Sequence, residues 1–386
     1  MSPTIRPKII YGYLASFYFF KMGILGTLLP FFQLYLDHLK FSKFQTGIIL
    51  SLLAVTRIGV PLLWGRLADR TGKAPLLASS LMFISTILFA GLFWVTSFWG
   101  VFIVTGFAML FRTGVLPLVE AISQRFCQRH DYIYGRIRVW GTLGFFAAVF
   151  LGGYLIKFYP LSIILWVILF LGGLAALSVL GLHFAHSTSF VEPSLDLHRP
   201  WFKLMVGVLV VCFLMQLSHG AYYGYFSLYL KGLGYEGPYV AYLWAPCLLA
   251  ELLIMVVWAP RLKIVHPISV LGFSLFMATL RWALLAYFPK LPLIFLSQIL
   301  HAFTYGTFHL AVMEFIRRKV PGHLKATGQT LYSTVTYGLG NTVGFILMGK
   351  LGDVANFTTM FAVSSVIAGV GLVVIIMVKF SKINQD

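Results

Sequence analysis

The sequence predicts an all-α membrane protein with twelve transmembrane helices in two six-helix halves. Of its 386 residues, 59% are hydrophobic and only 10% are charged, and the mean hydropathy is +0.89, values that a soluble domain of this length would not show. Apolar runs of about 20 residues recur along the chain, each long enough to cross the hydrocarbon core as an α-helix. One long polar stretch divides these runs into two sets of six.

The twelve predicted spans follow the apolar runs in order, separated by short polar or basic segments. They lie at residues 9–36, 43–64, 74–96, 98–124, 134–157, 160–183, 202–230, 239–260, 267–288, 291–316, 326–350 and 356–380. The polar stretch at 184–200 is predicted to be a cytoplasmic linker. It separates an N-terminal half at 1–183 from a C-terminal half at 201–386.

The basic residues outside the spans are unevenly distributed between the two sides of the membrane. Eighteen fall on the side of the N-terminus and six on the opposite side, which predicts that both termini are cytoplasmic. The net charge of +18 is accounted for by anionic lipid headgroups and needs no nucleic acid. The three cysteines lack metal-ligand spacing, and we expect neither a metal nor a cofactor. These features predict a multi-pass protein of a bacterial inner (plasma) membrane.

Charged side chains inside the apolar spans point to function. A charge near the bilayer centre costs at least ~2.5–3.5 kcal/mol, so it persists mainly where it faces a partner or a watery cavity. Only three acids share this zone with five bases, which predicts a hydrated cavity with a positive lining. The acids are Glu120, Glu251 and Glu314, and the bases are Lys21, Arg57, Arg112, Arg138 and Arg281.

Two six-helix halves around such a cavity are typical of a secondary transporter. A channel would carry a repeated short filter or a ring of like charges, and the sequence has neither. An intramembrane enzyme would need a Ser/Lys or paired-Asp constellation or an HExxH helix, and none is present. We therefore predict a transporter and not an enzyme.

The segment GRLADRTGK at 65–73 is predicted to be the loop between the second and third spans. Its glycines allow a tight reversal, and an acid among basic residues can cap a helix or form an ion pair. The nonapeptide resembles the signature loop of the major facilitator superfamily, in which the acid helps hold the cytoplasmic face closed. The resemblance implies the major facilitator fold and a gating role for Gly65, Asp69, Arg70 and Gly72.

A narrower resemblance starts at VEA (119–121) and continues through YGRIRVWG (134–141). Both segments are similar to the branch of proton symporters that contains lactose permease and phenylpropionate permease. In lactose permease the matching acid and arginine hold the sugar, which implies substrate contact for Glu120 and Arg138. From the residues alone, an interfacial ion pair is equally consistent.

In the second half, Glu251, Arg281 and His301 fall where lactose permease keeps an acid, an arginine and a histidine, which implies a role in proton coupling. The glutamate central to coupling there is replaced by Thr304. Glu251 is then the best candidate proton carrier, because burial and a nearby guanidinium act on its protonation in opposite senses. His301 can share or relay the proton. The alternatives are a permanent ion pair of Glu251 with Arg281 and a packing hydrogen bond for His301.

Charge also predicts the substrate. Arginine binds carboxylate bidentately and lysine supplies a point charge, so Lys21, Arg57 and Arg112 near mid-membrane would bind a carboxylate. Lys21 and Arg112 are basic residues at positions where the sequence is unlike both lactose permease and phenylpropionate permease. Aromatic side chains could flank a ring of the substrate, although such residues more often serve packing. The aromatic candidates are Phe145, Tyr222 and Tyr223.

These observations predict proton-coupled symport of a small organic anion, such as a phenylpropionate-like aromatic carboxylate, by a protein that functions as a monomer. Its partners would be the small-molecule substrate, protons and the lipid bilayer. Symport of a sugar, oligosaccharide or nucleoside is the alternative, and it would leave Lys21 and Arg112 as structural counter-ions. A non-transporting sensor on the same fold has no use for the buried charges of both halves.

Overall fold

The computed structural model describes residues 7–182, 200–258, 261 and 264–380, and every regular element in these residues is helical. Ten of the helices are long and apolar enough to cross a membrane. They are Pro7–His38, Lys43–Thr71, Ala74–Phe93, Phe98–His130, Tyr134–Phe158, Ile163–Leu180, Trp201–Gly232, Pro267–Tyr287, Leu291–Lys319 and Phe357–Phe380. The remaining predicted spans, 239–260 and 326–350, are also helical where described, although the first qualifies only as a shorter apolar helix. Apart from Pro200, the predicted linker lies outside the described residues.

The chain divides into two compact units. The first comprises Met1–Phe41, Thr56–Val191 and Glu236–Ala241, and the second comprises Ser42–Val55, Glu192–Tyr235 and Tyr242–Asp386. The predicted boundary between halves at 184–200 stays a prediction.

In the first unit, α1 packs against α7 and α8, and α5 packs against α6 and α8. Small residues permit these close approaches, as membrane helices require: a Cβ on Gly144 of α7 would collide with the backbone of Phe19 on α1. A π-helical turn, Leu28–Phe32, joins α1 to α2. The described helices are α1 (Pro7–Thr27), α2 (Gln33–His38), α4 (Val60–Thr71), α5 (Ala74–Ala90), α6 (Phe98–His130), α7 (Tyr134–Phe158) and α8 (Ile163–Leu180).

In the second unit, α3 packs along α16, and α17 packs against both α12 and α9. Two π-helical turns, Ala302–Thr307 and Thr334–Gly340, interrupt the helices that carry several polar aromatic residues. The helices here are α3 (Lys43–Val55), α9 (Pro200–Ser218), α10 (Gly220–Gly232), α11 (Pro238–Trp258), α12 (Pro267–Tyr287), α13 (Leu291–His301), α14 (Phe308–Lys319), α15 (Lys325–Ser333), α16 (Asn341–Val354) and α17 (Phe357–Phe380). The first residues of α11 belong to the first unit.

The second predicted span differs from expectation at two places. It is interrupted between Val55 and Val60, where Gly59 has a φ of +80°, a conformation that glycine adopts without strain. Further on, the predicted loop at 65–73 is helical as far as Thr71, and the chain reverses at Gly72, whose φ is +66°. Hydropathy ended the span at the first charges, whereas a helix can continue beyond the hydrocarbon because its charged residues are hydrated.

Candidate functional site

Arg112 lies in the middle of α6 and is only 3% exposed. Its Nε donates to Ser85 Oγ on α5 at 2.9 Å, and its Cζ lies 5.1 Å from the ring centroid of Phe89, one turn further along α5. Both Nη1 and Nη2 are buried without a hydrogen-bond partner among the described residues. Leaving a buried donor unmet costs about 1–3 kcal/mol, and more for a charged group. These two nitrogens therefore offer a paired donor edge to an anion.

Two further bases accompany Arg112 in the first unit. Lys21 on α1 is half-buried and lies within electrostatic range of both Arg112 and Arg57. Arg57 is exposed in the turn that separates α3 from α4. We call Lys21, Arg57 and Arg112 the basic cluster. The three positive charges repel one another, so a bound anion would stabilise all three.

Glu120 and Arg138 form an ion pair, which is the alternative that the residues alone left open beside substrate contact. Arg138 Nη1 donates to Glu120 Oε1 at 3.1 Å, and the Tyr134 hydroxyl donates to the same oxygen at 3.4 Å. Tyr18 extends the network, since its hydroxyl lies 3.5 Å from that of Tyr134. The Arg138 side chain is 53% exposed and that of Glu120 28%. A pair this accessible contributes about 0–1 kcal/mol to stability, so its polar groups are available for a second role.

The three aromatic candidates are placed differently from one another. Phe145 is packed inside the first unit and is 8% exposed, and Tyr222 is fully buried in the second. The Tyr222 hydroxyl donates to Gln298 Oε1 at 2.7 Å. Tyr223, whose ring centroid lies 5.3 Å from that of Tyr222, is partly exposed. Of the three, Tyr223 has surface available to a ligand in this conformation.

Arg281 is fully buried on α12, in the second unit. Its Nε donates to a backbone carbonyl of α13 at 2.7 Å, and its Nη1 donates to His301 Nδ1 at 2.9 Å and Thr304 Oγ1 at 3.3 Å. Its Cζ lies 4.2 Å from the ring centroid of Tyr222 and 4.4 Å from that of Trp282. A guanidinium can only donate, so His301 Nδ1 accepts and the neutral ring carries its hydrogen on Nε2.

Glu251 approaches the same region from α11. Its Cγ would lie 3.4 Å from a Cβ built on Gly306, inside the π-helical turn Ala302–Thr307. Where the structure describes them, the hydrogen bonds of Arg281 go to α13 and to that turn, and none goes to Glu251. Glu251 and the described partners of Arg281 thus lie beside the same turn, and the role of Glu251 stays a prediction.

The residues of the predicted gating loop lie at the end of α4. Gly65 is buried within the helix, Asp69 is partly exposed and Arg70 is exposed, while Gly72 makes the reversal through a 2.8 Å hydrogen bond from its N–H to the Ala68 carbonyl. Of these four residues, only Gly72 has the turn geometry expected of a loop, and the other three lie within α4.

Sequence reasoning missed several partners of these residues. Ser85 and Phe89 contact Arg112 from a helix that is distant in sequence, and nothing in the sequence indicates that contact. Tyr134 could have been found, because it precedes Arg138 by one helical turn on α7 and therefore lies on the same face.

Comparison with known proteins places the chain among transporters. Residues 11–363 match the model of the MFS_1 like family. The chain is 26% identical over 379 residues to an uncharacterized transporter of Bacillus subtilis (strain 168), covering 95% of this chain and 93% of that one. It is 28% identical over 353 residues to a probable 3-phenylpropionic acid transporter of Escherichia coli (strain K12), with 86% and 88% covered. The crystal structure of a mutant of the nucleoside transporter NupG superposes with a TM-score of 0.83 at 19% identity, covering 96% of this chain and all of that one.

Proposed function

Because the chain belongs to the MFS_1 like family, we propose that it takes up a small organic anion together with protons, by alternating access. The chain is a multi-pass membrane transporter of the major facilitator type. The proposal adds twelve spans in two halves, action as a monomer in a bacterial inner membrane, and cytoplasmic termini. Each addition extends the predictions made from the sequence.

The observation that carries the anion proposal is the unmet donor edge of Arg112. A carboxylate has two oxygens at the spacing that a guanidinium fork matches, and such charge-assisted pairs are about twice as strong as neutral hydrogen bonds. Lys21 lies close enough to Arg112 to interact with it electrostatically, and it adds a further positive charge beside the donor edge. A neutral ligand would leave these charges uncompensated.

The aromatic class of carboxylate is supported by two independent points. The Phe89 ring packs on the Arg112 guanidinium, so an aromatic side chain, itself fully buried, already borders the donor edge. A relative covering most of both chains is named as a probable 3-phenylpropionic acid transporter. We therefore propose a phenylpropionate-like acid, with the carboxylate on Arg112.

The second candidate is symport of a sugar, oligosaccharide or nucleoside, and it is favoured by the Glu120–Arg138 pair. That pair presents both an acceptor and donors at a partly exposed position, with Tyr134 beside it. Such an arrangement suits a hydroxyl group, which donates and accepts. In this case the basic cluster would be structural.

A thermal-shift experiment on the purified protein separates the two candidates. 3-Phenylpropionate, acetate, a disaccharide, a nucleoside and the uncharged 3-phenylpropionamide are compared at equal concentrations. A ligand at 100 times its Kd stabilises by about 2.7 kcal/mol. We expect stabilisation by 3-phenylpropionate, less by acetate and none by the amide. Stabilisation by the disaccharide or nucleoside alone would reverse the choice.

The coupling half of the proposal is tested in proteoliposomes. Exchange of substrate needs no net proton movement, whereas uphill accumulation does. Glu251→Gln is expected to retain counterflow but lose accumulation driven by a pH gradient. Glu314→Gln is the matched control, since Glu314 is held by Arg317 and Arg318 at 2.6 Å. Undiminished accumulation by Glu251→Gln would place the proton carrier elsewhere.

A further inference from the structure

A second polar cluster lies in the second unit, beyond the Arg281 site. His309 Nδ1 lies 3.0 Å from the Tyr332 hydroxyl, which lies 3.0 Å from the Tyr337 hydroxyl. Tyr337 is in turn hydrogen-bonded to Tyr305. We call these four residues the hydroxyl–imidazole cluster. Its hydrogen bonds are continuous from Tyr305 to His309.

The cluster adjoins the Arg281 site through stacked rings. His301, Tyr305 and His309 follow at intervals of four residues, and their ring planes are nearly parallel, with centroids 5.5 and 6.5 Å apart. Tyr305 and Tyr337 each lie in a π-helical turn. Such turns widen the helix and are frequent at functional sites. His309 is half-buried and lies ten residues before the basic end of α14 at Lys319, roughly 15 Å along the helix.

The partner of each imidazole decides whether it can change protonation where it stands. His219 Nδ1 lies 2.8 Å from the Met215 carbonyl, which only accepts, so this nitrogen keeps its hydrogen. Its Nε2 lies 3.3 Å from Thr304 Oγ1, which also accepts from Arg281, so a proton gained there would put a second positive charge beside that guanidinium. His301 Nδ1 faces the Arg281 guanidinium, which only donates, so this nitrogen cannot take a proton. His309 Nδ1 faces a hydroxyl, which can donate or accept. Its hydrogen bond survives in either protonation state.

We propose that His309 is the proton-exchange residue of the second unit, and that the tyrosine hydroxyls connect it to the coupling site. The inference rests on the proton coupling proposed above. In the step, Tyr332 gives its proton to His309 Nδ1, Tyr337 gives its proton to Tyr332, and Tyr305 gives its proton to Tyr337. The carrier at Glu251, beside Gly306, restores the proton of Tyr305. Each hydroxyl ends as it began, and one proton has moved to His309, which releases it.

The charged and titratable groups around this route are few in the described residues. The Cys212 thiol of α9 lies within electrostatic range of Tyr332. Arg281 of α12 is next to His301, two turns before His309. On α14 itself, Glu314 is engaged by Arg317 and Arg318. His309 is hydrogen-bonded to Tyr332 and stacks on Tyr305.

The test compares His309→Gln and Tyr332→Phe with the controls His323→Gln and Tyr287→Phe, both at exposed positions of the same unit. Three quantities are measured in proteoliposomes or detergent: ligand-induced thermal stabilisation, substrate counterflow, and accumulation driven by a pH gradient across a range of pH. Both cluster variants are expected to keep ligand stabilisation and counterflow within about twofold of wild type. Their gradient-driven uptake should fall about tenfold and show a changed pH profile, because these variants no longer pass the proton along the hydroxyls. When gradient-driven uptake is also measured in D2O, the slowing relative to H2O should be smaller in these variants than in wild type.

Three other outcomes would contradict either the role of His309 or the proposed proton coupling. Wild-type gradient-driven uptake in both cluster variants overturns the role of His309. Equal loss of counterflow and driven uptake shows that the cluster is structural and also overturns it. A wild-type protein that exchanges substrate but never responds to the pH gradient removes the proton coupling of the proposed function, and this inference falls with it. Tyr337→Phe, which changes one hydroxyl only, replaces any variant that fails to fold.

Discussion

Arg112 and Arg281 are both buried within membrane-spanning helices, one in each unit, yet their guanidinium groups have different surroundings. Arg281 donates from Nε and Nη1 to three acceptors and lies against two aromatic rings. Arg112 has one described hydrogen bond and one ring contact, and both its terminal nitrogens lack a partner. The guanidinium of Arg281 is therefore held at two of its three nitrogens, whereas that of Arg112 is held at one.

The difference teaches which buried charge is available for binding. Two of the three guanidinium nitrogens of Arg281 already have acceptors, so a ligand could add a hydrogen bond only at Nη2 unless it displaced His301 or Thr304. The desolvation of Arg112 is offset only in part, by one hydrogen bond and one ring contact. An anion that accepts from Nη1 and Nη2 of Arg112 would therefore form hydrogen bonds that the described residues do not make, and this favours its binding.

The largest effect is expected from Arg281→Met. The substitution removes two cation–π contacts and leaves His301 Nδ1 without its donor, and each unmet buried group costs about 1–3 kcal/mol. We expect the free energy of unfolding to fall by roughly 3 kcal/mol more than in Arg112→Met. Thermal unfolding of both variants in the same detergent is the measurement. Equal stability of the two would show that the contacts of Arg281 carry no net energy.

Arg112→Met should separate binding from stability. Methionine is similar in length and removes an uncompensated charge, and such replacements are often neutral or stabilising by about 1–4 kcal/mol. Loss of a bidentate charged contact, on the order of 3 kcal/mol, should weaken anion binding roughly 100-fold. Ligand-induced thermal shift and uptake are measured together. Lys157→Met, at the exposed end of α7, is the control for loss of one positive charge.

A smaller effect is expected at the Glu120–Arg138 pair, which is more exposed than either arginine above. Arg138→Lys should reduce uptake nearly as much as Arg138→Ala, because lysine cannot reproduce the fork of donors. The free energy of unfolding should change by less than about 1 kcal/mol in both variants. Near-normal uptake by the lysine variant would mean that charge alone is sufficient at this position.

The positions of the helices could be predicted from hydropathy, because side chains that face lipid hydrocarbon must be apolar. The interruption between Val55 and Val60 could not, since a threonine, an arginine and a glycine barely change the average over a 20-residue window. The helical course of Gly65 to Thr71 was also missed, because glycine and charge together are typical of loops as well as of helix ends in water.

The site was predictable where partners share a helix or a resemblance covers them. The resemblance singled out Glu120 and Arg138 as substrate contacts, the residues alone were equally consistent with an ion pair, and an ion-pair contact is present. The hydrogen bond from Arg281 to His301 depends on how α12 and α13 pack, which spacing along the chain does not record. The stack of His301, Tyr305 and His309 did leave a signal, an interval of four residues that places three rings on one helix face.

The interruption of the second span also has an electrical consequence. An unbroken helix would carry the partial charges of its macrodipole, about half a unit at each end, to the aqueous surfaces where water screens them. Here α3 ends at Val55 and α4 begins at Val60, so the candidate span Lys43–Thr71 contains two helix ends, with Arg57 between them in sequence. Arg57 therefore follows in sequence the end of one helix, which carries negative partial charge, and precedes the start of another, which carries positive partial charge. The break sets a local field that the side chains alone would not produce.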